Sequence, residues 1–258
     1  MTVDSQTGAS STDTTCDTLL GGRVQLRQPR AGYRAAIDPV LLAAALDVSR
    51  PGLVLDAGCG VGAAGLCLLK RPGADPGLRV IGLELQPDYA DLARVNAGLN
   101  GLADRFEVVH GDLADPPAAL RAIQVDHVVG NPPWLADDAG TASPVPGRDI
   151  ANRETTLDLA AWIDACLGRL KSRGTFTLIH RADRLADILA TLRGRAGGIV
   201  VFPLWPARGE AARRVLVRAR KDVATPLRLA AGLVLHRAGG GYTAEADAVL
   251  RDGASVMP

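Results

Sequence analysis

A stretch of eleven residues, Leu55–Gly65 (LDAGCGVGAAG), places four glycines directly after an apolar run and before a helix-length segment. Glycine at such a turn allows positive φ and close approach of a ligand to the backbone and to the helix N-terminus. The stretch fits G-x-G-x-x-G from Gly60, typical of dinucleotide loops, and D-x-G-x-G from Asp56. It therefore predicts a nucleotide-type cofactor of one of two kinds.

The charge at Asp56 separates the two cofactors. A dinucleotide loop places a pyrophosphate on the helix N-terminus, and a carboxylate inside the turn would repel it. Asp56 suits a ligand with an ammonium group, and S-adenosylmethionine (SAM) carries an α-amino group and a sulfonium but no phosphate. We predict that the loop binds SAM, with Gly58 and Gly60 as close-approach glycines. Gly62 and Gly65 are interpreted as letting the helix lie near the ligand and the sheet.

Two further carboxylates follow the next two apolar runs. Glu84 ends VIGLE, where an acid can accept from both ribose hydroxyls, although NAD enzymes use an acid at the equivalent place. Asp112 follows FEVVHG, where its side chain can accept from an adenine amino group while the Leu113 backbone N–H donates to the ring. An Asx turn is the structural alternative at Asp112. We expect the three acids to meet at one edge of a sheet.

The fourth apolar run ends in the sequence NPPW, which is Asn131, Pro132, Pro133 and Trp134. Proline has no N–H to donate, and the paired prolines cannot continue a strand, so their carbonyls are available to another partner. The Asn131 side-chain oxygen and the Pro132 carbonyl can accept both hydrogens of a planar amino group, while Trp134 stacks on it. The motif predicts methylation of an amino nitrogen without a conventional general base. A rigid Pro-Pro loop is the structural alternative.

Short apolar runs alternate with helix-length segments from residue 53 onward. Nearly all-apolar strands separated by helices are typical of a parallel sheet covered on both faces. We predict an α/β fold, a doubly wound Rossmann-like seven-stranded sheet that is mostly parallel and ends in an antiparallel hairpin. The predicted strands lie at 53–57, 79–84, 106–111, 125–130, 174–180, 198–205 and 213–220, and the predicted helices near 61–71, 87–100, 116–123, 155–171 and 182–195.

Three parts of the chain differ in composition. Residues 1–18 are rich in Ser, Thr and Asp and are predicted to form a disordered tail. Residues 19–221 form the predicted cofactor-binding domain, and its N-terminal segment contains an apolar helix opened by Asp38 as N-cap and Pro39 as N1. Residues 222–258 are predicted to pack on the same domain, at the edge of the sheet.

The four cysteines of the chain form no C-x-x-C pair and have no metal-ligand spacing. We interpret Cys59, Cys67 and Cys166 as buried apolar side chains and expect no metal site. The sequence has no basic, apolar leader and no apolar run of about 18 residues, which are the marks of secretion and of a membrane span. We therefore expect a soluble cytoplasmic protein.

The segments LDAGCGVGAAGL, GLELQP, GDL and NPPW, in this order and spacing, resemble the class I (Rossmann-like) SAM-dependent methyltransferases. The N-P-P-aromatic motif is that of the branch that methylates amino nitrogens of adenine, cytosine or glutamine. The segments RQPRAGYRAAIDPVLLAAAL and SPVPGRDIANRE, which flank this core, resemble the bacterial tRNA (valine) adenine-N6 methyltransferase family. The resemblance runs from about residue 20 to about residue 221.

The resemblance implies a role for each matching residue. Asp56, Gly58 and Gly60 would lie at the methionine end of SAM, Glu84 at its ribose and Asp112 at its adenine. Tyr33 and Asp38 would fall in a segment that closes over the cofactor. Trp134 stands where Tyr or Phe is usual, which leaves the size of the substrate pocket open. The complete predicted cofactor-binding set is Tyr33, Asp38, Asp56, Gly58, Cys59, Gly60, Glu84, Leu85, Asp112, Leu113 and Asn131.

Positive charge is concentrated in two parts of the chain. The net charge is +1 overall, but residues 21–34 carry +4 and residues 169–221 carry +10, against −9 for residues 35–168. Such clusters can bind a phosphate backbone, with solvated helix faces as the alternative explanation. We predict RNA binding by segments 23–34 and 208–221. Their basic residues are Arg23, Arg27, Arg30, Arg34, Arg208, Arg213, Arg214, Arg218, Arg220 and Lys221.

These features together predict transfer of a methyl group from SAM to the exocyclic nitrogen of an adenine in RNA, with tRNA as the expected substrate and the base flipped into the site. A glutamine-N5 methyltransferase of a translation factor ranks second. Members of that group usually carry a helical domain in front, whereas about 50 residues precede the first strand here. The sequence also leaves open an NAD-dependent oxidoreductase and a non-catalytic SAM-sensing or RNA-binding module.

Overall fold

A nine-stranded sheet with helices on both faces runs through the part of the chain that the computed structural model describes, residues 13–32, 34–132 and 157–257. A separate two-stranded hairpin precedes it. The strands are β1 (Thr14–Leu19), β2 (Val24–Pro29), β3 (Gly52–Ala57), β4 (Leu78–Glu84), β5 (Phe106–His110), β6 (Val125–Gly130), β7 (Leu170–Arg181), β8 (Ala196–Ala207), β9 (Arg214–Lys221), β10 (Arg228–Leu229) and β11 (Leu233–His236). The helices are α1 (Asp38–Ala44), α2 (Ala63–Lys70), α3 (Pro87–Leu99), α4 (Ala118–Arg121), α5 (Leu159–Arg169), α6 (Leu185–Leu192) and α7 (Ala244–Asp247).

The main sheet has the order β5-β4-β3-β6-β7-β9-β8, with β10 and β11 both paired to β8. Strands β3 to β7 are parallel, and β9 is antiparallel to both of its neighbours. The chain therefore winds outward from β3 in both directions, which is the doubly wound arrangement predicted from the sequence. The strand order reverses between β3 and β6, and open α/β sheets bind ligands at the carboxyl ends of the strands beside such a point.

All seven predicted strands are present, and the prediction is confirmed for the parallel core and for the antiparallel β8–β9 hairpin. Two short strands, β10 and β11, extend the sheet beyond the predicted seven, because the C-terminal segment adds to the edge of β8. Strand β7 is longer than predicted and contains an irregularity where Arg173 has a φ of 64°. Gly174 follows at this point, and the apolar pattern that marked the strand begins only there.

The hairpin of β1 and β2 corrects the predicted disordered tail over residues 14–18. Thr14–Leu19 pair with β2 in continuous register, with Leu19 opposite Val24. Composition alone misses this strand because the apolar side chains that hold the hairpin on the domain belong to its partner, where Val24 and Leu26 are fully buried. Threonine also favours extended backbone. Residues 1–12 of the predicted tail lie outside the described residues.

Apolar cores lie on both faces of the sheet. One is formed with α1, α2 and the C-terminal segment, and the other with α5 and α6. Cys59, Cys67 and Cys166 are all buried, Cys67 in the first core and Cys166 in the second, which confirms their interpretation as buried side chains. Within the described ranges, none of the helices combines the length and apolar character needed to cross a membrane.

The C-terminal segment is tied to the end of α1 by a buried arginine. The Arg71 guanidinium donates to the carbonyls of Ala43 and Leu46, each at 2.7 Å, and to that of Gly253 at 3.1 Å. The Val256 N–H donates to the Ala44 carbonyl at 3.0 Å. The last residues of the chain therefore pack on the same domain as the first helix.

Candidate active site

The carboxyl ends of β3, β4, β5 and β6 meet at one edge of the sheet. Ala57 of β3 is in register with Leu83 of β4 on one side and with Gly130 of β6 on the other. Polar residues at and beyond these positions are brought together by the register, as expected from the sequence. They are Asp56, Glu84, Asp112 and Asn131.

The glycines of the β3–α2 loop divide into two kinds. Gly58, Gly60 and Gly62 have φ values of 71°, 55° and 86°. A Cβ added at Gly58 would meet no atom within 4 Å, whereas one at Gly62 would lie 2.7 Å from the Phe106 ring. A Cβ at Gly65 would lie 2.9 Å from the same ring. Gly58 therefore has open space on its outer side, and Gly62 and Gly65 let α2 pack closely on the sheet, as interpreted from the sequence.

Glu84 holds the loop from the neighbouring strand. Its Oε2 accepts from the Gly60 N–H at 2.8 Å and its Oε1 accepts from the Gln86 N–H at 3.0 Å. Burial raises the pKa of the Glu84 carboxyl, and these backbone donors oppose that effect. The Leu85 N–H also acts on this carboxylate, and the roughly four acceptor sites of a carboxylate still leave capacity to accept from a ribose hydroxyl. The ribose role of Glu84 stays a prediction that this geometry permits.

Asp56 lies beneath the same loop. The residue is 2% exposed, and its Oδ2 accepts from the Gly65 N–H at 3.0 Å in the first turn of α2. Burial raises the pKa of the Asp56 carboxyl to about 7, with a further contribution from the charge of Glu84. Asp56 therefore stabilises the start of α2 in addition to placing negative charge under the loop. Its contact with the methionine end of a cofactor stays a prediction.

The turn after β5 is an Asx turn, the structural role considered for Asp112 from the sequence. Its Oδ1 accepts from the Ala114 N–H at 2.8 Å, which is an Asx turn. The contact between Asp112 and an adenine stays a prediction. Leu85 follows β4, and its carbonyl lies 3.0 Å from Nε2 of His110. The roles of Leu85 and of the Leu113 N–H stay predictions.

Asn131 comes directly after β6, beside the glycine loop of β3. Its Oδ1 is buried, and Pro132 is buried as well. A Cβ at Gly130 would overlap the ring of Trp162, so the close contact of this aromatic side chain with the strand end requires glycine. Trp162 is 5% exposed and supports the strand end immediately before Asn131. Sequence reasoning missed Trp162, because its partner Gly130 is 32 positions away in the chain.

Pro133 and Trp134 lie outside the described residues, as does Tyr33. The prediction that these three residues contribute to the site therefore rests on the sequence.

Asp38 corrects the predicted capping of α1. It is the first residue of the helix, Ile37 is the N-cap, and no side chain caps the helix. The Asp38 carboxylate instead lies 3.2 Å from Nε of Arg214, the first residue of β9. Burial raises the pKa of Asp38, and the positive charge of Arg214 opposes that effect. Because β9 is antiparallel to β7, its first residue lies at the carboxyl edge, so this ion pair ties α1 to the candidate site.

The basic segment 208–221 divides between the two edges of the sheet. The loop with Arg208 and Arg213 connects β8 to β9 at the carboxyl edge, where Arg214 is opposite Arg181. Lys221 ends β9 and donates to the Leu170 carbonyl at the start of β7, at the other edge. Eight extended residues separate the two ends of β9 by roughly 24 Å. One half of this segment therefore borders the candidate site and the other half points away from it.

The other basic segment, 23–34, is largely engaged within the N-terminal region. Arg30 pairs with Asp13, and Arg34 pairs with Asp17, each at 2.6 Å. Arg23 donates to the carbonyl of Arg251 at 2.6 Å and to that of Leu20 at 3.2 Å. The two ion pairs neutralise part of the charge that the sequence count assigns to the segment, and the Arg23 bonds hold a third guanidinium against backbone carbonyls.

The residues at the carboxyl edge fit SAM. Gly58 leaves open space against the loop, and two buried carboxylates, Asp56 and Glu84, have raised pKa values. A ligand with an ammonium and a sulfonium would favour the ionised form of both acids, whereas a pyrophosphate would be repelled by them. When bound, SAM supplies an electrophilic methyl group.

Methyltransferases are among the known proteins that resemble this chain. Residues 35–146 match the family described as the methyltransferase small domain. A solved structure from Agrobacterium tumefaciens, described as a predicted O-methyltransferase, has 26% sequence identity and a TM-score of 0.69, covering 86% of this chain and 99% of that one. A SAM-dependent O-methyltransferase from Thermotoga maritima shares the fold, with a TM-score of 0.54, 19% identity and coverage of 76% of this chain and 68% of the other.

The sheet order and the match to the Agrobacterium tumefaciens structure give the chain the fold of the class I SAM-dependent methyltransferases, and residues 35–146 carry the methyltransferase small domain. Among its relatives is a protein of Porphyromonas gingivalis named tRNA1(Val) (adenine(37)-N6)-methyltransferase, 32% identical over 174 residues. That match covers 64% of this chain and 66% of the relative, just under two thirds of its length. A protein of the same name from Aeromonas hydrophila is 28% identical over 83% of this chain and 87% of its own length.

Proposed function

We propose that the enzyme methylates N6 of an adenine in RNA, and that the RNA is a tRNA. The names of the relatives in Porphyromonas gingivalis and Aeromonas hydrophila support this substrate. The observation that carries the proposal is the position of Asn131 and Pro132 directly after β6, where Gly130 is in register with Ala57 at the start of the cofactor loop. An acceptor held at this position lies beside the methyl donor.

In the proposed reaction, Asn131 and Pro132 orient the acceptor nitrogen. The Asn131 side-chain oxygen and the Pro132 carbonyl each accept one hydrogen of the N6 amino group, so that the nitrogen lone pair is directed at the methyl group. The nitrogen becomes acidic as it bonds to the methyl group, and it loses one of its two protons without a strong base. Trp134 would stack on the adenine base, which must leave its helical stack to enter the site.

The RNA contact is proposed for the half of the basic segment that borders the carboxyl edge. Arg208 is exposed, and Arg213 pairs with an exposed acid, Glu210, at 3.8 Å. Exposed pairs of this kind contribute little free energy, so Arg213 can exchange its partner for a phosphate. Binding through these arginines should weaken as salt rises. A tRNA substrate also implies that the enzyme acts in the cytoplasm.

The proposed function predicts a large effect of Asn131→Ala. We expect methyl transfer from tritiated SAM into bulk tRNA to fall by about 10²–10³-fold, the loss typical of removing one preorganised hydrogen-bonding group from an active site. The dissociation constant for SAM, measured by calorimetry, should change less than about threefold because the cofactor loop is untouched. Nucleoside mass spectrometry of the labelled tRNA should identify N6-methyladenosine.

Equal label in tRNA from the wild type and the variant would contradict the role of Asn131. Label that appears in protein and not in RNA would instead support a glutamine-N5 methyltransferase. A wild type that binds SAM and labels neither substrate would favour a non-catalytic SAM-binding module.

A further inference from the structure

Helix α3 and the residue that caps its C-terminus present two buried asparagines to the N-terminal hairpin, Asn96 and Asn100, four positions apart. Asn96 accepts from the Arg27 N–H at 2.7 Å and donates to the Arg27 carbonyl at 3.0 Å. Asn100 accepts from the Gln25 N–H at 2.9 Å and donates to the Gln25 carbonyl at 2.7 Å. The two side-chain amides thus pair with the outer edge of β2 as a neighbouring strand would.

The spacing explains why this pairing works. Four residues of helix advance by about 6 Å, and two residues of strand advance by about 6.8 Å. Asn96 and Asn100 therefore match the repeat of Arg27 and Gln25 along β2. Without these amides, the backbone groups of an edge strand would be buried against a helix that cannot satisfy them.

Asn96 makes one contact that has no counterpart at Asn100. Its Nδ2 also donates to the Val61 carbonyl at 2.9 Å, whereas the remaining bond of Asn100 returns to the Asn96 carbonyl in the same helix. Val61 lies between Gly60 and Gly62 in the cofactor loop, and Asn96 is 0% exposed. A single buried amide is therefore shared between the N-terminal hairpin and the loop that receives SAM.

The loop is held from two directions as a result. Glu84 accepts from the Gly60 N–H on the β4 side, and Asn96 donates to the Val61 carbonyl on the α3 side. The next N–H, that of Gly62, donates to the Cys59 carbonyl at 2.9 Å. Glycine-rich backbone has many accessible conformations, so each fixed peptide reduces the ordering that the cofactor must impose when it binds.

We propose that Asn96 is a positioning residue for SAM binding, which fixes the Val61 peptide of the cofactor loop and couples it to the N-terminal hairpin. It acts through the loop backbone and not by contact with the reacting atoms. Asn100 secures the same strand without touching the loop, so the chain supplies its own matched control.

The test compares Asn96→Ala with Asn100→Ala. Both variants should lower the melting temperature, because each leaves buried backbone groups of β2 without a partner. Only Asn96→Ala should weaken SAM binding, by about tenfold in calorimetry, the effect expected from loss of one buried hydrogen bond. Hydrogen exchange of the peptide spanning residues 55–65 should accelerate in Asn96→Ala alone. At saturating SAM, kcat should stay within about twofold of the wild type while KM for SAM rises.

A second pair of variants covers the case in which Asn96→Ala does not fold. Asn96→Asp and Asn100→Asp keep side-chain volume and the acceptor for the β2 N–H, but an ionised carboxylate cannot donate. At pH 8 the first should bind SAM about tenfold more weakly than the second. Equal SAM affinity within either pair, or unchanged loop exchange in the Asn96 variants, would overturn the proposal and leave Asn96 a structural residue only.

Discussion

The two halves of the sheet place their functional residues in opposite ways. In the half formed by β3, β4 and β5, the carboxylates Asp56 and Glu84 are buried, and both lie close to the strand ends and accept from backbone amides, as Glu84 does from Gly60. In the half formed by β7, β8 and β9, the charges are spread over the strands and their loops, and several pair with nearby acids, as Arg213 does with Glu210. Preorganisation is therefore concentrated in the cofactor half, while the basic half retains exposed groups that can change partners.

This difference teaches which sequence signals are reliable. A motif whose residues all lie in one turn has the same geometry wherever that turn occurs. A charge cluster that is counted along the chain has no such fixed geometry. An extended strand places alternate residues on opposite faces of the sheet and its two ends at opposite edges. Substitutions in each half can test how sharply the two halves differ.

The largest expected effect comes from the glycines of the cofactor loop. Gly58→Ala should reduce SAM affinity by at least about 100-fold, since the new Cβ enters the space left for the cofactor, while stability falls by only about 1–2 kcal/mol from the positive φ. Gly62→Ala should lower stability more, by about 2–4 kcal/mol, because strain is joined by overlap with Phe106. Calorimetry and urea unfolding separate the two effects. If Gly58→Ala bound SAM as tightly as the wild type, Gly58 would not be a close-approach glycine, and its role would be no different from that of Gly62.

The second effect is a pH dependence from Asp56. Its pKa is raised from 3.8 to about 7 in the folded protein, so the folded state retains a proton that the unfolded state loses. The stability from this group is fully present below about pH 4, declines as pH rises, and is lost above about pH 7. In Asp56→Asn, which does not titrate, the decline of the unfolding free energy across this range should be shallower, as measured by urea unfolding at several pH values.

The same group should link SAM binding to proton release. A cationic cofactor favours the ionised carboxylate, so SAM affinity should rise with pH by up to about tenfold per unit below pH 7. Calorimetry in buffers of different ionisation enthalpy should detect protons released by the wild type at pH 6, and fewer by Asp56→Asn. Identical release by both proteins would assign the titration elsewhere, with Glu84 the nearest other buried acid.

The smallest effect concerns the basic half. Replacing Arg208 and Arg213 by alanine should weaken tRNA binding by about three- to tenfold at low salt and lower the slope of log affinity against log salt by about one per lost phosphate contact. Replacing Arg220 and Lys221, at the other end of the strand, should change binding less than about twofold. Filter binding across a salt series measures both. Equal losses from the two pairs would mean that the RNA covers the whole of β9.

The parts of the molecule that sequence could predict are those whose determinants are local. The parallel core, the hairpin and the gathering of Asp56, Glu84 and Asn131 at one edge follow from apolar runs and short motifs. Contacts between distant positions could not be read in the same way. Asn96 bonds to Arg27 across 69 positions, and Gly130 packs on Trp162, without any local pattern that marks either pair.

Asp38 is a single residue whose role also depends on a contact distant in the sequence. An aspartate before a proline at the start of an apolar helix is a good capping signal, but the prediction was wrong: Asp38 is the first residue of the helix, and its carboxylate pairs with the partly buried Arg214 from a distant strand. Strand β1 was missed for a related reason, since its partner β2 supplies the buried side chains.

The hydrogen bonds of Arg71 predict that the protein does not tolerate truncation near Gly253. The guanidinium donates to carbonyls of both the first helix and Gly253, so the final residues complete the solvation of a buried cation. Truncation of the chain before Gly253 would therefore leave that cation without one of its acceptors and loosen the helix that carries Asp38. Loss of function in such a truncated chain would reflect a failure to keep the protein folded, although every residue of the candidate active site would still be present.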